Sequence, residues 1–193
     1  MKDNLRKKSL EDRIWNGLVF DSKEEIQFYK WCSELKDASL ILDFEYQPMP
    51  FLLSDTVRKD ELYSFISKKK AAVLLKSHVY TADFKVVFSD KFIDLFGHPT
   101  FLKYFYPSSS DPYVVYVDIK GNFNKFSGDR ILAINQKWVY QTYKAYINKI
   151  VPDNLFKDTF LPVSEFVSPI KKKIREKYKG FKTLKDVQES RKI

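Results

Sequence analysis

Cysteine, histidine and glycine are scarce in this chain. Its 193 residues include one cysteine, Cys32, together with two histidines and five glycines. A single cysteine excludes an intrachain disulfide and indicates a reducing compartment. With only two histidines beside it, the cysteine also excludes an ordinary structural zinc site, which needs a full set of Cys and His ligands.

Long apolar runs are missing as well. No stretch approaches the ~18 consecutive apolar residues that a membrane-spanning helix needs, so we expect no membrane partner. The opening sequence MKDNLRKKSLEDR carries charges where a secretory signal would have an apolar core. These absences predict a cytoplasmic protein that needs no disulfide support, since a chain of this length buries roughly 70% of its unfolded surface.

Positive charge is what the chain has in excess. Its 34 Lys and Arg residues outnumber its 25 Asp and Glu residues, which gives a net charge of +9 and makes a polyanion the natural partner. Ten of these basic residues and only three acids lie between Lys171 and Ile193. Ser168-Pro169 predicts a helix start just before them. Two interpretations are open: an arm that grips a phosphate backbone, or a solvated terminal helix.

Hydrophobic patterning predicts a mixed α/β fold. Phe28, Cys32 and Leu35 recur at helical spacing within a predicted helix over residues 22–36. Prolines in the first predicted strand indicate an edge strand or a bend. The strands are predicted over residues 39–53, 78–88, 113–120 and 156–163, and a second helix over 131–150 with a stripe of Val139, Tyr143, Tyr146 and Ile150.

Two segments fit no single pattern. Residues 58–76 fit either a helix or a charged loop that feeds a strand, and residues 89–112 fit a loop or an inserted hairpin. The order of elements predicts an α/β sandwich around one mixed sheet. We expect one domain over residues 1–165, with its core at about 20–163, followed by a basic helical tail over 166–193.

Aromatic residues make up 17% of the chain and crowd the insert over residues 89–112. They could stack on unpaired bases or wedge into a DNA branch. They could equally form a satellite core or a contact between two copies of the chain. The residues concerned are Phe88, Phe92, Phe96, Phe101, Tyr104, Phe105 and Tyr106.

Two aspartates occupy predicted strands. Asp83 lies in the sequence YTADF, and Asp118 lies in VYVDIKG. A buried strand tolerates a charge when the charge is paired or binds a metal. Neighbouring strands lie ~4.8 Å apart, so one carboxylate from each could hold a hard cation such as Mg²⁺. The alternative is structural, because strand-end aspartates often accept hydrogen bonds from turn amides.

Lys120 follows Asp118 at the spacing that puts two side chains on one face of a strand, with Ile119 turned into the packing. Other acid-x-Lys triplets occur, including Asp83-Phe84-Lys85. The triplet at Asp118 differs because it ends a run of β-branched and aromatic residues and a glycine follows directly. A metal-binding carboxylate beside a lysine that orients a water is suited to phosphodiester hydrolysis. Alternatively, Lys120 is a surface lysine.

A third acid, Glu25, lies at the start of the first predicted helix. It precedes Phe28 and Cys32 by three and seven positions, which places it at the end of the apolar stripe. It could therefore contribute to the site of the aspartates. It could equally cap the helix, because Ser22-x-x-Glu25 fits a capping box.

Several motifs in this order resemble a known family. They are Ser22-Lys23-x-Glu25 with Phe28-Tyr29, then Tyr80-Thr81-Ala82-Asp83-Phe84, then Val117-Asp118-Ile119-Lys120-Gly121. Together they are similar to the PD-(D/E)XK nuclease superfamily, and in particular to its small phage and prophage endonuclease branch related to Holliday-junction resolvases. The resemblance covers roughly residues 20–150. Ala82 stands where the proline of the superfamily's name would be, and 35 residues separate the two aspartates.

A further pair of motifs adds to the resemblance. The segment Asp43 to Pro48 resembles the strand that precedes the aspartate motif in that branch. The segment Gln136-Lys137-Trp138-Val139-Tyr140 resembles the Gln-x-x-x-Tyr element of RecB-like nucleases. Gln136 and Tyr140 are four residues apart and would share a helical face.

The resemblance implies a restriction-endonuclease-like core of helix, three strands, helix and strand. It implies an Mg²⁺-dependent endonuclease that hydrolyses DNA, with branched or junction DNA as a candidate substrate. Mg²⁺ or Mn²⁺ would be held by Asp83, Asp118 and Glu25, with no small-molecule cofactor. Lys120 would position the attacking water, and Gln136 and Tyr140 would support the site. The expected DNA contacts are Lys137, Lys144, Lys171, Lys172, Lys173 and Arg175.

The resemblance also implies a homodimer, and a location in the host cytoplasm if a phage encodes the chain. Two other interpretations of the same residues stay open. One is a non-catalytic nucleic-acid-binding protein that kept the nuclease fold. The other is a phage structural component whose basic tail binds DNA or a partner.

Overall fold

The computed structural model describes residues 13–62, 72–108, 111, 113–121, 128–166 and 175–191. The predicted helix start at Ser168-Pro169 and the lysines Lys171, Lys172 and Lys173 lie outside these residues. No helix in the described ranges is long and apolar enough to cross a membrane.

The described elements alternate between helices and short strands. In chain order they are β1 (Ile14–Trp15), β2 (Leu18–Val19), α1 (Lys23–Asp37), β3 (Ile41–Tyr46), β4 (Phe51–Ser54), β5 (Val57–Arg58), α2 (Lys59–Leu62), β6 (Val73–Leu75), β7 (His78–Tyr80), β8 (Phe84–Phe88), α3 (Asp90–Phe96), α4 (His98–Tyr104), β9 (Val114–Ile119), α5 (Gly128–Tyr143), β10 (Ile147–Ile150), α6 (Pro152–Asp158), α7 (Val163–Phe166), a 3₁₀ turn (Glu176–Tyr178) and α8 (Leu184–Ser190).

A four-stranded mixed sheet forms the centre of the fold, in the order β10-β9-β8-β3. Strands β3, β8 and β9 pair antiparallel, and β10 pairs parallel with β9. The parallel pair needs a crossover, and helix α5 supplies it. Strand β3 lies at the sheet edge, as the prolines after it indicate. The prediction of a mixed α/β fold is confirmed. Three small hairpins, β1-β2, β4-β7 and β5-β6, accompany this sheet.

The two faces of the sheet carry separate apolar clusters, because alternate strand residues point to opposite faces. On one face, Phe84 of β8 and Val117 of β9 pack in a large cluster with α1, α3, α4, α6 and α8. On the other face, a smaller cluster joins the β4-β7 hairpin to α5 and includes Tyr80, Leu132 and Val139. The second face is the one toward which Asp118 points, since Asp118 neighbours Val117 along the strand.

Helix α1 confirms the prediction for residues 22–36. Its first turn is capped by Ser22, whose side chain accepts the Glu25 backbone N–H at 3.1 Å. The predicted apolar stripe of Phe28, Cys32 and Leu35 is fully buried.

Helix α5 is shorter than predicted, and the sheet's last strand is not where the sequence pattern places it. The helix ends at Tyr143, and Lys144 takes a left-handed φ of 56°. Tyr146 and Ile150 therefore lie outside the helix. The sequence pattern included them because their spacing continues that of Val139 and Tyr143. The strand predicted over 156–163 is wrong, since α6 occupies Pro152–Asp158.

The insert over residues 89–112 is neither a loop nor a hairpin in its described part. It begins with helices α3 and α4. The phenylalanines Phe92, Phe96, Phe101 and Phe105 are buried in the large cluster, which excludes them as an exposed stacking or dimer surface. Tyr106 is the exception, because 55% of it is exposed.

The strand predicted over 78–88 is interrupted. Strand β7 pairs with β4, and strand β8 pairs with β3 and β9. The chain changes sheets between Tyr80 and Phe84, and Asp83 lies at this break.

The described C-terminal segment packs on the body of the protein. Tyr178, Leu184 and Val187 belong to the large cluster. The Leu161 N–H also donates to the Lys182 carbonyl at 2.9 Å.

Candidate functional site

The structure brings Asp83 and Asp118 together across β8 and β9. The antiparallel register pairs Phe84 with Val117. Asp83 directly precedes Phe84 and Asp118 directly follows Val117, so the two aspartates lie near each other at the end of this strand pair. They are close enough for the charge of Asp118 to raise the pKa of Asp83. The two carboxylates therefore face one small volume at the end of the β8-β9 pair.

Asp118 is buried, with 5% of its surface exposed. Its Oδ1 accepts a hydrogen bond from the Tyr80 hydroxyl at 2.9 Å. Its Oδ2 forms an ion pair with Lys120 Nζ, but no hydrogen bond of good geometry reaches this buried oxygen. Ile119 points away and is buried in the large cluster, so Asp118 and Lys120 share a face as the sequence predicts.

Asp83 is held by the backbone of the neighbouring strand. Its Oδ2 accepts the Ile119 N–H at 2.6 Å. Burial, and then the negative charge of Asp118, raise the pKa of Asp83 to about 7, with a further contribution from Glu25. The Ile119 N–H and the Lys120 charge act in the opposite direction but do not outweigh them. Ionisation of Asp83 is therefore made unfavourable by its burial and by the charge of Asp118 beside it.

Burial and the nearby aspartates also act on Tyr80. Its pKa is raised well above the ordinary value by burial, by the charge of Asp118 and by the hydrogen bond to Asp118. Tyr80 therefore stays a neutral donor that fixes the orientation of the Asp118 carboxylate. No sequence signal predicts this contact, because the two residues are 38 positions apart.

Glu25 bonds back to the start of α1, as the capping interpretation predicts. Its Oε1 accepts the Ser22 hydroxyl at 2.8 Å, and its Oε2 accepts the Asp21 N–H at 3.1 Å. The Tyr46 hydroxyl also donates to Oε2 at 2.9 Å. Glu25 is nevertheless near enough for its charge to raise the pKa of Asp83.

Glu24, one residue earlier, reaches the end of β9. A Cβ built on Gly121 would lie 3.3 Å from Glu24 Oε1. Glu24 and Lys120 also line the same small cleft of about 90 Å³, with Asp153 and Lys177. The glycine after Lys120 thus leaves room for this carboxylate.

Gln136 and Tyr140 share a face of α5 as predicted, but they face a different part of the molecule. Gln136 Nε2 donates to the Ile147 carbonyl at 2.7 Å, whereas the Lys120 N–H donates to Ile150 at the other end of β10. Lys137 and Lys144 line the same groove as Gln136 and Tyr140. These four residues therefore form a surface of their own, beside the far end of β10.

Arg175 is the one predicted DNA contact of the tail that the structure describes. Its guanidinium pairs with the buried Glu165 at 3.0 Å. Glu165 also receives Lys30 of α1 at 2.6 Å, so Arg175 helps to attach the C-terminal segment to the body.

The donor set of the two aspartates fits a hard divalent cation. Among the residues that the structure describes, no three His, Cys, Asp or Glu side chains are grouped to hold a metal ion. Glu25 therefore does not form a three-carboxylate cluster with Asp83 and Asp118. Mg²⁺ needs only one or two carboxylates, with waters completing its shell. The repulsion between the two carboxylates is a feature that such a cation would relieve.

A family model described as "Protein of unknown function (DUF1064)" matches residues 6–100, just under half of the chain. The match includes α1 and Asp83 but ends before Asp118 and Lys120. Searches of curated proteins and of solved structures find no match.

Proposed function

We propose that this protein is a metal-dependent endonuclease that hydrolyses DNA phosphodiester bonds. The observation that carries the proposal is the proximity of Asp83 and Asp118 at the end of β8 and β9, with Lys120 paired to Asp118. Like charges are buried together at a cost, and such arrangements cluster at functional sites. The excess of positive charge, +9 over the chain, is the charge that a DNA-binding protein needs.

The topology supports a restriction-endonuclease-like core. Helix α1, strands β3, β8 and β9, helix α5 and strand β10 follow one another in the order that the motif resemblance implies. The small hairpins and helices α3 and α4 are additions between these elements. This order supports the resemblance, with Asp83 just before β8, Asp118 in β9 and Lys120 just after it.

Each residue of the proposed site has a separate task. Asp83 and Asp118 would hold Mg²⁺ or Mn²⁺, which when bound polarises the phosphate and lowers the pKa of a coordinated water. Tyr80 fixes the Asp118 carboxylate, and the Ile119 N–H fixes that of Asp83. The Lys120 ammonium, at the exposed end of the pair, would donate a hydrogen bond to the attacking water. Glu25 adds negative charge beside Asp83 while it caps α1.

The proposal is tested by incubating the full chain with supercoiled, linear and four-way-junction DNA, in Mg²⁺, in Mn²⁺ and in chelator. We expect cutting that needs the metal and that falls at least about a hundredfold in Asp118→Ala and in Lys120→Ala. Lys85→Ala is the matched control, since Lys85 follows Asp83 at the same acid-x-Lys spacing but pairs with Glu45 at 3.4 Å. Its cutting should equal that of the wild type.

The other outcomes separate the alternatives. DNA binding without cutting in either metal would support a non-catalytic nucleic-acid-binding protein and contradict the proposal. Absence of any DNA affinity at ~0.1 M salt would point to a structural component, because a protein that grips phosphates still binds measurably there. Cutting that persists in Asp118→Ala would place the active site elsewhere.

A further inference from the structure

A groove of about 700 Å³ lies between α5 and the segment that follows α4. Tyr106, Tyr140 and Tyr146 line it together with Lys137 and Lys144. We call it the tyrosine groove. It lies at the Ile147 end of β10, whereas Lys120 bonds to the Ile150 end. At the rise of a β-strand, the two ends of β10 are roughly 10 Å apart.

The rings of the tyrosine groove are exposed. Tyr106 is 55% exposed, Tyr140 is 50% and Tyr146 is 37%. All three phenylalanines of the neighbouring helices α3 and α4, by contrast, are buried in the large cluster. Exposed aromatic faces gathered in one groove are available to a flat, apolar group from outside.

One wall of the groove is held rigidly. Asn148, 2% exposed, accepts the Tyr106 N–H at 2.7 Å and donates to the Tyr106 carbonyl at 3.0 Å. The same amide donates to the Tyr116 carbonyl in β9 at 3.0 Å. The Tyr106 and Tyr146 rings then meet edge to face, with centroids 5.4 Å apart. Because the wall is fixed in advance, little conformational entropy is lost when a ligand binds there.

The charge of the groove has one sign. The described residues that line it include two lysines and no acid. Lys144 Nζ lies 5.7 Å from the centre of the Tyr140 ring, so positive charge is placed beside a stacking face. Aromatic faces interleaved with lysines suit a chain that alternates flat bases with phosphates.

We infer that the tyrosine groove binds an unpaired strand of DNA, whose bases stack on Tyr106, Tyr140 and Tyr146 and whose phosphates face Lys137 and Lys144. Duplex DNA does not fit this chemistry, because its bases are already stacked and paired. The inference rests on the proposed function in taking DNA as the substrate, and it makes that substrate more specific. The preferred DNA would carry an unpaired segment beside the cut, as flaps, gaps and opened branches do.

The test measures binding in chelator, so that no cutting interferes. A labelled single-stranded oligonucleotide and the matched duplex are titrated with the full chain, and fluorescence anisotropy reports the Kd. We expect tighter binding of the single strand, and a loss of roughly fivefold or more for each ring removed in Tyr106→Ala and Tyr146→Ala. Tyr106→Phe and Tyr146→Phe keep the ring and should keep wild-type affinity, which separates stacking from a general effect of substitution.

Two results would overturn the inference. One is single-strand binding that is unchanged in the Tyr106→Ala/Tyr146→Ala double variant. The other is a concentration-dependent dimer, seen by sedimentation, that the same double variant abolishes, because a second copy of the chain would then occupy the groove. Failure of the proposed function looks different: ring-dependent binding would remain, but no metal would support cutting. Failure of the groove alone would leave Asp118-dependent cutting with no ring dependence.

Discussion

Two buried carboxylate sites in this protein are built in opposite ways. Glu165 and Asp118 are equally buried, at 5% exposure each. Glu165 lies between two cations, with Lys30 Nζ at 2.6 Å and the Arg175 guanidinium at 3.0 Å. Asp118 faces a second carboxylate, Asp83, and shares a single lysine with it.

The difference is visible in the pKa values. Burial alone raises the pKa of Glu165, but the hydrogen bond and charge of Lys30, with Gln27 and Arg175, outweigh it and hold the pKa below its ordinary value. At Asp83, burial and the neighbouring negative charge act in the same direction and raise the pKa to about 7. The ionised Glu165 therefore contributes to the stability of the fold. The ionised Asp83 beside Asp118 lowers that stability, and the rest of the fold must offset the loss. Stored repulsion of this kind supports the proposal that Asp83 and Asp118 hold a cation.

The largest expected effect on stability comes from changing Glu165, whose charge is paired with Lys30 and Arg175. In Glu165→Gln, Lys30 loses its counter-charge while remaining 12% exposed, so we expect the free energy of unfolding to fall by about 3–5 kcal/mol. Urea denaturation measures the change. Glu176→Gln is the control, because Glu176 is 89% exposed and 4.0 Å from Lys179, and it should change stability by less than about 0.5 kcal/mol. Equal effects in the two variants would show that the Glu165 cluster contributes no more than a surface pair.

The Asp83–Asp118 pair, where two carboxylates share one lysine, should respond with the opposite sign. Asp83→Asn removes one of the two like charges and keeps an oxygen that can accept the Ile119 N–H. We expect the free energy of unfolding at pH 8 in chelator to rise by about 2–4 kcal/mol, up to the equivalent of the roughly three pKa units between 3.8 and about 7. The same variant should lose DNA cutting. Asp43→Asn is the control, since Asp43 is exposed and paired with Lys36 at 2.6 Å. A destabilised Asp83→Asn variant would contradict the account of stored repulsion.

More of the proposed site than of its surroundings can be predicted from the sequence. Asp118 and Lys120 share a face because the side-chain period of a strand is two, and the apolar run of β9 is readable without a structure. The proximity of Asp83 to Asp118 follows once β8 and β9 are taken as antiparallel neighbours. The partners of Glu165 are not readable, because Lys30 lies 135 residues away and no local pattern links them.

The errors have a common physical cause. Val139 and Tyr143 lie in α5, and Ile150 lies in β10, yet all three fit one helical stripe. Strand β10 has only four residues, two of them polar, which is too short a segment to show a strand period of its own. The end of α5 is set by the left-handed φ of Lys144, a residue type that does not signal a helix end. The tyrosine groove is not readable from the sequence, because the segment after α4 that carries Tyr106 meets α5 only in the folded chain.

The smallest expected effect, per unit of pH, is the slope of stability near neutrality. The pKa of Asp83 is about 7 in the folded state and 3.8 in the unfolded chain. Between these two pH values, the folded state keeps a proton on Asp83 that the unfolded state has lost. The free energy of unfolding contributed by this group is therefore full below about pH 4 and falls as the pH rises through 7, by at most about 1.4 kcal/mol per pH unit. Glu165, with a lowered pKa, gives the opposite slope: its contribution is present above its ordinary value of 4.5 and is lost as the pH falls through the lowered pKa.

Urea midpoints between pH 5 and 8 in chelator should decline in the wild type and stay level in Asp83→Asn, while Glu165→Gln keeps the decline. If the urea midpoint of the wild type did not change over this range, the pKa of Asp83 would not be raised in the folded state. The contrast between the two carboxylate sites would then rest on Glu165 alone.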